Sequence, residues 1–244
     1  KRALQETGGN LEAARTLLRE KGMASAGKRA DRATTEGLVG VIVEGGAGSI
    51  VGVGCETEPV SRTEEFHAFC EKVLRTLHAD GVEALEALEP ERLELMGKLG
   101  ENIVVTGPAR FDDGGTLAGY VHPPANKIGV LVSLEGGSEE LARRLAMHIS
   151  FAAPEWRTRD DVPADAVEAE RQVYLNSDEV ISKPEAAREK IVNGMLGKRF
   201  YAASPGGVLV DQAWIHEASI SVGQALEAAG ASVKRFARVS VAGS

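Results

Sequence analysis

The sequence has few of the features that would indicate a secreted or membrane-embedded protein. It contains only two cysteines, Cys55 and Cys70, so no disulfide framework is predicted, and a reduced, cytoplasmic setting is the simplest interpretation. No apolar run approaches the roughly 20 residues that a membrane-spanning helix needs. A basic start followed by an apolar stretch, the pattern of a secretory signal, is not found either. We therefore expect no membrane partner.

Basic residues are in the minority as well. Lys and Arg number 28 and Asp and Glu number 36, which gives a net charge of −8. Surfaces that bind nucleic acid or anionic membranes carry basic stripes, so this balance argues against both kinds of partner. The length of 244 residues and the hydrophobic content of 43% are ordinary for a globular protein of one large domain or of two to three smaller ones.

No set of side chains forms a catalytic or metal-binding pattern. The five histidines are scattered and lack the helical spacing with a carboxylate that metal sites use. Residues Gly46 to Gly52 resemble a dinucleotide-binding glycine pattern, which requires a helix to open at the glycines. Here the glycines alternate with β-branched residues, and each would cost a helix about 1 kcal/mol. We expect a hairpin turn, no enzyme activity, no cofactor and no metal site; an oxidoreductase is a distant alternative.

The first 36 residues are predicted to form a helical module and a linker. Lys1–Thr7 has the composition of a helix end, Gly8-Gly9 breaks it, and Asn10 can cap a second helix over Leu11–Lys21. Residues 23–36 are basic and small, and we expect a linker helix there. The module resembles a ubiquitin-associated-type bundle that has lost its first helix. Because the chain begins within a helix and without methionine, we expect that part of the N-terminus is missing.

The body of the chain contains the same pattern of elements twice. In each copy two β runs flank a turn, a helix follows, and a third β run comes later. This predicts an α+β fold with two duplicated subdomains, residues 37–115 and 116–244, each an antiparallel sheet covered by helices. The predicted elements are Leu38–Glu44, Ser49–Glu56, Thr63–Ala79 and Asn102–Arg110 in the first copy, and Thr116–His122, Lys127–Glu135, Ser138–Phe151 and Ser232–Val241 in the second.

A helical insertion lies within the second copy. Ala164–Asp178 and Pro184–Phe200 both space their apolar residues as helices do, and proline starts the second of them. We therefore expect an antiparallel helical hairpin over residues 164–200. It is either a pair of packing helices or a projecting arm for a partner, and the sequence leaves both interpretations open.

A short acidic segment follows the second β run of the first copy. The glycine-rich apolar run Ile50–Cys55 leads into Thr57–Val60, and a helix with Glu64 and Glu65 in its first turn comes next. Acidic residues suit the positive end of the helix dipole. We call Thr57–Val60 the tip and expect it to stand out at a strand-to-helix turn, where loops on a rigid scaffold tend to carry function.

The tip and several other blocks resemble elongation factor Ts, the family of nucleotide-exchange factors for elongation factor Tu. The family's form of the tip is Cys-x-Thr-Asp-Phe-Val, whereas Glu58 and Pro59 occupy the central positions here. The order and spacing of the weaker blocks carry the resemblance along nearly the whole chain. These blocks are Arg2–Leu4, Gly9–Leu11, Leu18–Gly22, Glu36-Gly37, Gly100–Ile103, Ile128–Val132, Ala146–Ser150, Lys183–Glu185, Ser221–Leu226 and Arg235–Val239.

The resemblance implies a protein that binds a partner and performs no chemistry. Family members are not enzymes; they bind the GDP form of elongation factor Tu and accelerate nucleotide release. The residues that match the family's tip, which presses on the partner's G domain and disturbs Mg²⁺ coordination, are Thr57, Glu58, Pro59 and Val60. The residues that match further partner contacts, or positions that help shift the partner's phosphate loop, are Ile128, Gly129, Met147 and His148. The resemblance also implies that the helical start grips the G domain and that the hairpin is a coiled-coil arm.

Structural interpretations stand beside three of these assignments. Ile128 alternates within a strand and is equally compatible with a core position. Gly129 can serve backbone packing as readily as the close approach of a partner. His148 lies on a helix between apolar residues, where a hydrogen-bonded structural histidine is the ordinary case.

Glu58 and Pro59, which stand where the family has Asp and Phe, predict a tip that displaces the partner's groups less strongly. Proline is smaller and stiffer than the family's phenylalanine and lacks the aromatic area of strong interface anchors. We therefore expect Pro59 to make a weaker wedge than the family's residue. The alternative function is a non-catalytic adaptor that recruits another protein through the ubiquitin-associated-like start and the helical hairpin.

Overall fold

The computed structural model of the chain describes residues 2–14, 16–17, 20 and 29–241. The helices are α1 Arg2–Glu6, α2 Glu58–Ser61, α3 Glu64–Asp80, α4 Glu89–Leu99, α5 Glu139–Ala152, α6 Ala164–Leu175, α7 Asp178–Ile181, α8 Glu185–Met195 and α9 Val222–Ala228. The strands are β1 Glu36–Glu44, β2 Ala47–Cys55, β3 Ile103–Phe111, β4 Thr116–Val121, β5 Ile128–Glu135, β6 Ala213–Trp214, β7 Glu217–Ser221 and β8 Ser232–Ser240. Short 3₁₀ segments cover Glu83–Leu88, Arg159–Asp161 and Leu209–Asp211, and a π-helical segment covers Leu196–Tyr201.

Within the described residues, the strands form three sheets with the orders β1-β2-β3, β4-β5-β8 and β6-β7. These small antiparallel sheets and the many helices confirm the predicted α+β class. In each three-stranded sheet two consecutive strands pair, the second of them (β2 or β5) lies at the centre, and a strand from later in the chain (β3 or β8) lies at the other edge. That arrangement is what the predicted duplication requires, but the duplication itself stays a prediction.

The first hairpin explains the glycines that resemble a phosphate loop. Gly45 and Gly46 form the turn with φ angles of 59° and 79°, which a two-residue hairpin turn requires and which glycine adopts without strain. The pattern then continues into strand β2, all of whose residues are buried. A Cβ on Gly52 would lie 2.8 Å from Thr106 and 2.9 Å from Val239, so glycine is needed here because neighbouring side chains approach the backbone closely. The predicted hairpin is confirmed.

Helix α3 covers this first sheet and fixes the position of the segment before it. Thr63 begins the helix, because its Oγ1 accepts a hydrogen bond from the Phe66 N–H at 3.3 Å, and Gly81 ends it with a φ of 89°. The buried residues of the helix recur every three or four positions. Together with parts of β2, α4 and β3 they form a core cluster of Val51, Val53, Cys55, Phe66, Phe69, Val73, Leu77, Leu95, Met96 and Ile103.

The chain divides into two compact units. The first comprises Lys1–Gly114, Gly119–Leu131 and Ala237–Ser244, and the second comprises Gly115–Ala118 and Val132–Phe236. These units group residues by contact, whereas the predicted domains 1–36, 37–115 and 116–244 are consecutive segments. The predicted division therefore stays a prediction.

The predicted helical insertion belongs to the second unit. Its first helix, α6, ends at Leu175, three residues earlier than predicted, and the short α7 follows. Helix α8 begins directly after Pro184, as the proline predicts. Residues of all three helices share a small core of Tyr174, Val180, Val192, Met195 and Leu196. The two predicted helices are therefore present and packed; their role as an arm stays a prediction.

The N-terminal segment matches the prediction at its first helix and cap but not in the linker. Helix α1 ends before a glycine turn, and Asn10 Oδ1 accepts a hydrogen bond from the Ala13 N–H at 3.0 Å, so the predicted cap is confirmed. The end of the predicted second helix and most of the linker, residues 18–19 and 21–28, lie outside the described residues. The predicted linker helix is wrong over residues 29–36, which form turns and extended chain and then the start of β1. There the carbonyls of Ala30 and Arg32 accept hydrogen bonds from the Asn102 amide and not from a helical turn. Across the described ranges, no helix is both long and apolar enough to cross a membrane.

Candidate functional site

The tip forms a single helical turn at the end of the buried central strand. Strand β2 ends at Cys55, and α2 begins at Glu58 with Pro59 in its second position, where a missing N–H costs no intrahelical hydrogen bond. Thr57, Glu58 and Pro59 are exposed, and Val60 is half-buried. The predicted exposure of this segment at a strand-to-helix turn is confirmed.

The tip is closed by short local hydrogen bonds. The Ser61 N–H donates to Thr57 O at 3.2 Å, the Ser61 hydroxyl donates to Glu58 O at 2.8 Å, and the Thr63 hydroxyl donates to Val60 O at 2.9 Å. The Val60 side chain packs against the core cluster below. The outer face carries an ion pair between Glu58 and Arg62 at 2.5 Å, which is too exposed to stabilise the turn by much.

Glu101 supports the entry to the tip from a different part of the chain. Gly100 ends α4 in the left-handed conformation with a φ of 79°, and Glu101 follows it. Its Oε2 accepts hydrogen bonds from the backbone N–H groups of Glu56 at 3.1 Å and Thr57 at 3.0 Å, while Oε1 accepts from the Thr57 hydroxyl at 2.5 Å. Hydrogen bonds to a charged acceptor are roughly twice as strong as neutral ones. One carboxylate therefore holds both residues that lead into α2.

A second network joins the base of the tip to the segment that follows the linker. Glu56 Oε1 accepts from the Asn102 N–H at 2.6 Å and lies 3.4 Å from Arg32 Nη1. The Asn102 amide donates to Ala30 O at 3.2 Å and to Arg32 O at 2.8 Å, and its side chain is buried. Residues 30–32, the base of the tip and the start of β3 are thus tied together by hydrogen bonds.

The two thiols near the tip are unsuited to nucleophilic chemistry. Burial, together with the nearby carboxylates of Glu101 and Glu36, raises the pKa of Cys55 to about 12. Burial also raises the pKa of Cys70 to about 12, and this residue packs against the core cluster. Because the thiolate is the reactive form, both cysteines act as small core residues. In the part of the chain that the structure describes, no group of three or more His, Cys, Asp or Glu side chains could hold a metal ion.

Ile128 and Gly129 open strand β5 in the first compact unit. Ile128 is half-buried, and its carbonyl accepts a hydrogen bond from the His122 N–H at 2.8 Å. Gly129 is buried, and a Cβ placed on it would lie 2.5 Å from Val39 Cγ1 and 3.4 Å from Ile50 Cδ1. The close packing of Val39 of β1 against this backbone gives Gly129 a structural reason to lack a side chain.

Met147 and His148 lie on α5 in the second compact unit. Met147 is half-buried, whereas His148 is fully buried. His148 Nε2 is 2.9 Å from Gln212 Oε1, Nδ1 accepts from the Ile215 N–H at 3.4 Å, and the ring stacks on Trp214 with centroids 5.3 Å apart. Burial lowers the pKa of His148, and the neighbouring charge of His216 lowers it further, although the hydrogen bond to Gln212 opposes both.

Gln212 fixes the protonation of this histidine. Its Nε2 donates to Ala203 O at 2.8 Å and to Gly206 O at 2.5 Å, so its Oε1 must face the ring. His148 Nε2 therefore carries the proton and Nδ1 accepts. Sequence reasoning did not single out Gln212 or Glu101, because both acquire partners through contacts far along the chain.

Comparisons with known proteins give one family for nearly the whole chain. The family model described as "Elongation factor TS" matches residues 56–243, a range that begins at the base of the tip. A protein named elongation factor Ts from Alkalilimnicola ehrlichii is 38% identical over 254 residues, covering 99% of this chain and 85% of the relative. One from Deinococcus deserti is 38% identical, covering 99% and 92%. One from Halorhodospira halophila is 39% identical, covering 99% and 85%.

These matches define a translation factor, and the class is that of the nucleotide-exchange factors. The chain belongs to the elongation factor Ts family. The function that this membership carries is nucleotide exchange on elongation factor Tu, which is not classed as enzyme catalysis.

Proposed function

We propose that the tip promotes GDP release by displacing the groups that hold Mg²⁺ and the phosphates in elongation factor Tu. The observation that carries this proposal is an exposed helical turn at the end of a buried strand, with its entry held by Glu101. Thr57, Glu58 and Pro59 offer the surface for contact, and Val60 ties the turn to the core. A wedge must be held firmly from behind if its contact is to move another protein, and this arrangement meets that requirement.

The mechanism depends on differential affinity. Tight GDP binding depends on the metal ion and on backbone donors around the phosphates. A factor that displaces these groups must bind the nucleotide-free partner better than the GDP-bound partner, because only a difference in affinity shifts an equilibrium. By reciprocity GDP weakens the binding of the factor by the same ratio, and each 1.4 kcal/mol of this coupling corresponds to about tenfold.

The other matched residues divide into two groups by burial. Ile128 and Met147 are half-buried and are the proposed direct contacts with the partner. Gly129 and His148 are buried, so we propose that they act by holding β5 and the β6–β7 segment in place. Each of the four residues thus has a proposed role that fits its exposure.

The proposed organisation follows the same reasoning. Residues 1–36 form a ubiquitin-associated-like module that grips the G domain, residues 37–115 and 116–244 are duplicated subdomains, and residues 164–200 are the arm. The cytoplasm is the proposed site of action, because a translation factor works there and because the chain carries two cysteines without a disulfide framework.

Release of a fluorescent GDP analogue from elongation factor Tu, followed by stopped flow, tests the proposal. We expect this chain to accelerate release and the double variant Glu58→Ala/Pro59→Ala to accelerate it less. Co-purification with elongation factor Tu should be disrupted by excess GDP, whereas an adaptor for some other protein would be indifferent to the nucleotide. Acceleration that is unchanged in the double variant would exclude the tip as the acting surface.

A further inference from the structure

The tip is too short to hold its own conformation. Helix α2 has four residues, and an isolated helix of that length does not form in water because nucleation costs more than its few hydrogen bonds return. Its side-chain cap is also missing, since Thr57 stands at the N-cap position without a capping hydrogen bond from its hydroxyl. The direction of the turn must therefore be set by the groups that hold the residues on either side of it.

The exit side is held by the core and by helix α3. Val60 packs against the core cluster, and the Thr63 N–H donates to Val60 O at 3.0 Å, so the chain leaves the tip in a fixed direction. The entry side has a different support. There the Thr57 hydroxyl and the N–H groups of Glu56 and Thr57 all point at the carboxylate of Glu101.

The hydroxyl of Thr57 donates a hydrogen bond to Glu101 and does not cap helix α2. An N-cap threonine ordinarily turns its oxygen toward the N–H groups of the following helical turn. In this structure the same hydroxyl donates to Glu101 Oε1 at 2.5 Å, and the adjacent N–H donates to Oε2 at 3.0 Å. Two oxygens of one side chain thereby fix both the backbone and the side chain of the first tip residue.

We propose that Glu101 is a positioning residue for nucleotide exchange, which sets the angle at which the tip meets elongation factor Tu. This inference rests on the proposed function of the tip. Glu101 itself does not have to touch the partner, because its effect passes through the backbone of Glu56 and Thr57 to the exposed turn. Without it the entry residues exchange their partners for water, and the wedge loses its rigid support.

Three substitutions at one position separate geometry from charge. Glu101→Ala removes all three hydrogen bonds. Glu101→Gln keeps an oxygen for the two N–H groups and offers an amide N–H to the Thr57 hydroxyl oxygen, so the arrangement survives without the charge. Glu101→Asp keeps the charge but shortens the side chain by one methylene, so it cannot reach all three donors. Glu86, an exposed glutamate of the 3₁₀ segment in the same unit, provides the matched control as Glu86→Ala.

The first readout is the rate of amide hydrogen exchange at Glu56 and Thr57. We expect exchange at both to be about tenfold faster in Glu101→Ala, the factor that corresponds to 1.4 kcal/mol, and close to the parent protein in Glu101→Gln and Glu86→Ala. The second readout is the maximal rate of GDP release at saturating factor. It should fall about tenfold in Glu101→Ala and Glu101→Asp and recover in Glu101→Gln. A merely structural role would lower stability in Glu101→Ala and leave the maximal rate of GDP release of the folded protein unchanged.

The outcomes distinguish the two proposals. If Glu58→Ala/Pro59→Ala releases GDP as fast as the parent protein, the proposed function of the tip is wrong. If that variant is slow but Glu101→Ala has the parent's maximal rate, the positioning role is wrong. Should Glu101→Ala fail to fold, Thr57→Val removes the donor to Oε1 and leaves the backbone N–H groups in place. For Thr57→Val we expect the maximal rate of GDP release to fall about threefold, which is less than the full loss of one charge-assisted hydrogen bond would cause. An unchanged rate would overturn the inference.

Discussion

Replacing Gly129 by alanine tests whether this buried glycine packs the fold or serves the partner. The new methyl group would point at Val39 of β1 and lie 2.5 Å from its Cγ1, with Ile50 Cδ1 at 3.4 Å. Carbon atoms in contact normally stay about 3.5–4.0 Å apart, so Val39 would have to move by about 1 Å. Val39 is 4% exposed and therefore cannot turn toward solvent.

The magnitude follows from two opposing effects. Extra methyl groups in a packed core destabilise a protein by about 1–3 kcal/mol. Alanine also restricts the unfolded chain, which returns about 0.4–1 kcal/mol where the backbone tolerates it. Gly129 is not among the glycines with a positive φ, so the substitution adds no backbone strain. We expect Gly129→Ala to lower the free energy of unfolding by about 1–2 kcal/mol, which corresponds to a fall in melting temperature of about 2–8 °C for a chain of this size.

Urea and thermal unfolding of the parent protein and four variants measure this effect and its cause. Val39→Ala alone should cost about 2 kcal/mol for its two buried methyl groups. Combined with Gly129→Ala it should cost less than the sum of the two, because the colliding atom is gone, and the coupling should reach about 1 kcal/mol. Gly194→Ala is the control, since Gly194 is exposed in α8 with open space around it, and a gain of up to about 1 kcal/mol is expected. If the free energy of unfolding of Gly129→Ala lies within about 0.5 kcal/mol of the parent protein's, the packing argument is wrong. If that variant also releases GDP more slowly, Gly129 is a partner contact.

Three further results are expected. Pro59→Phe should accelerate GDP release in the stopped-flow assay by restoring aromatic area to the tip, and an unchanged or slower rate would show that the wedge argument fails at this position. His148 titrates at its ordinary pKa of 6.5 when unfolded and at a lower pKa when folded, so the unfolded state binds the extra proton and stability falls as the pH drops below about 6.5. The urea midpoints at about pH 7.5 and about pH 5.5 should therefore differ more for the parent protein than for His148→Gln. Equal differences in the two proteins would contradict this expectation. Because burial raises the pKa of Cys55 and Cys70 to about 12 from 9.0, a thiol reagent should modify them about a thousandfold more slowly in the native protein than in urea, and equal rates would refute the assignment.

The regular elements of residues 37–115 could be predicted where local chemistry decides them. Gly45-Gly46 between two β runs predicts the first hairpin, and the structure pairs Glu44 with Ala47 across that turn. Thr63 followed by two acidic residues predicts the start of α3, which begins at Glu64. In both places the deciding feature is local, a positive φ at the two glycines and a hydrogen bond between Thr63 and Phe66, so the sequence alone is sufficient.

Residues 116–244 contain short elements that give a weaker sequence signal. The two-residue strand β6 and the five-residue strand β7 are too short for alternation to be recognised. Helix α9, by contrast, has a signature, since the Gln224 N–H donates to the Ser221 hydroxyl at 3.2 Å and Ser221 N–H donates to Gln224 Oε1 at 2.8 Å. That Ser-x-x-Gln capping box is visible in the sequence and predicts the start of this helix.

The candidate site was predictable in position but not in construction. An acidic segment after a buried strand indicates an exposed turn, and the family resemblance gives it a role. The carboxylate that holds the turn comes from Glu101, which lies 44 residues after Thr57 and is linked to it only once β2 and β3 pair. No local pattern identifies such a partner, because its function arises from the register of two strands and from the glycine that turns the chain at the end of α4.

In its proposed role, His148 supports a binding surface without touching the partner. Its ring is buried, its Nε2 proton is directed to Gln212, and its Nδ1 accepts the N–H of Ile215, a residue that is 42% exposed. A neutral imidazole can do this because it donates on one nitrogen and accepts on the other, whereas the protonated ring can only donate. Protonation would therefore break the bond to Ile215, and the exposed side of the β6–β7 ribbon would lose its support. The surface that this ribbon presents thus depends on a histidine that lies inside the fold, which is how the proposed role in binding and the burial of the side chain are compatible.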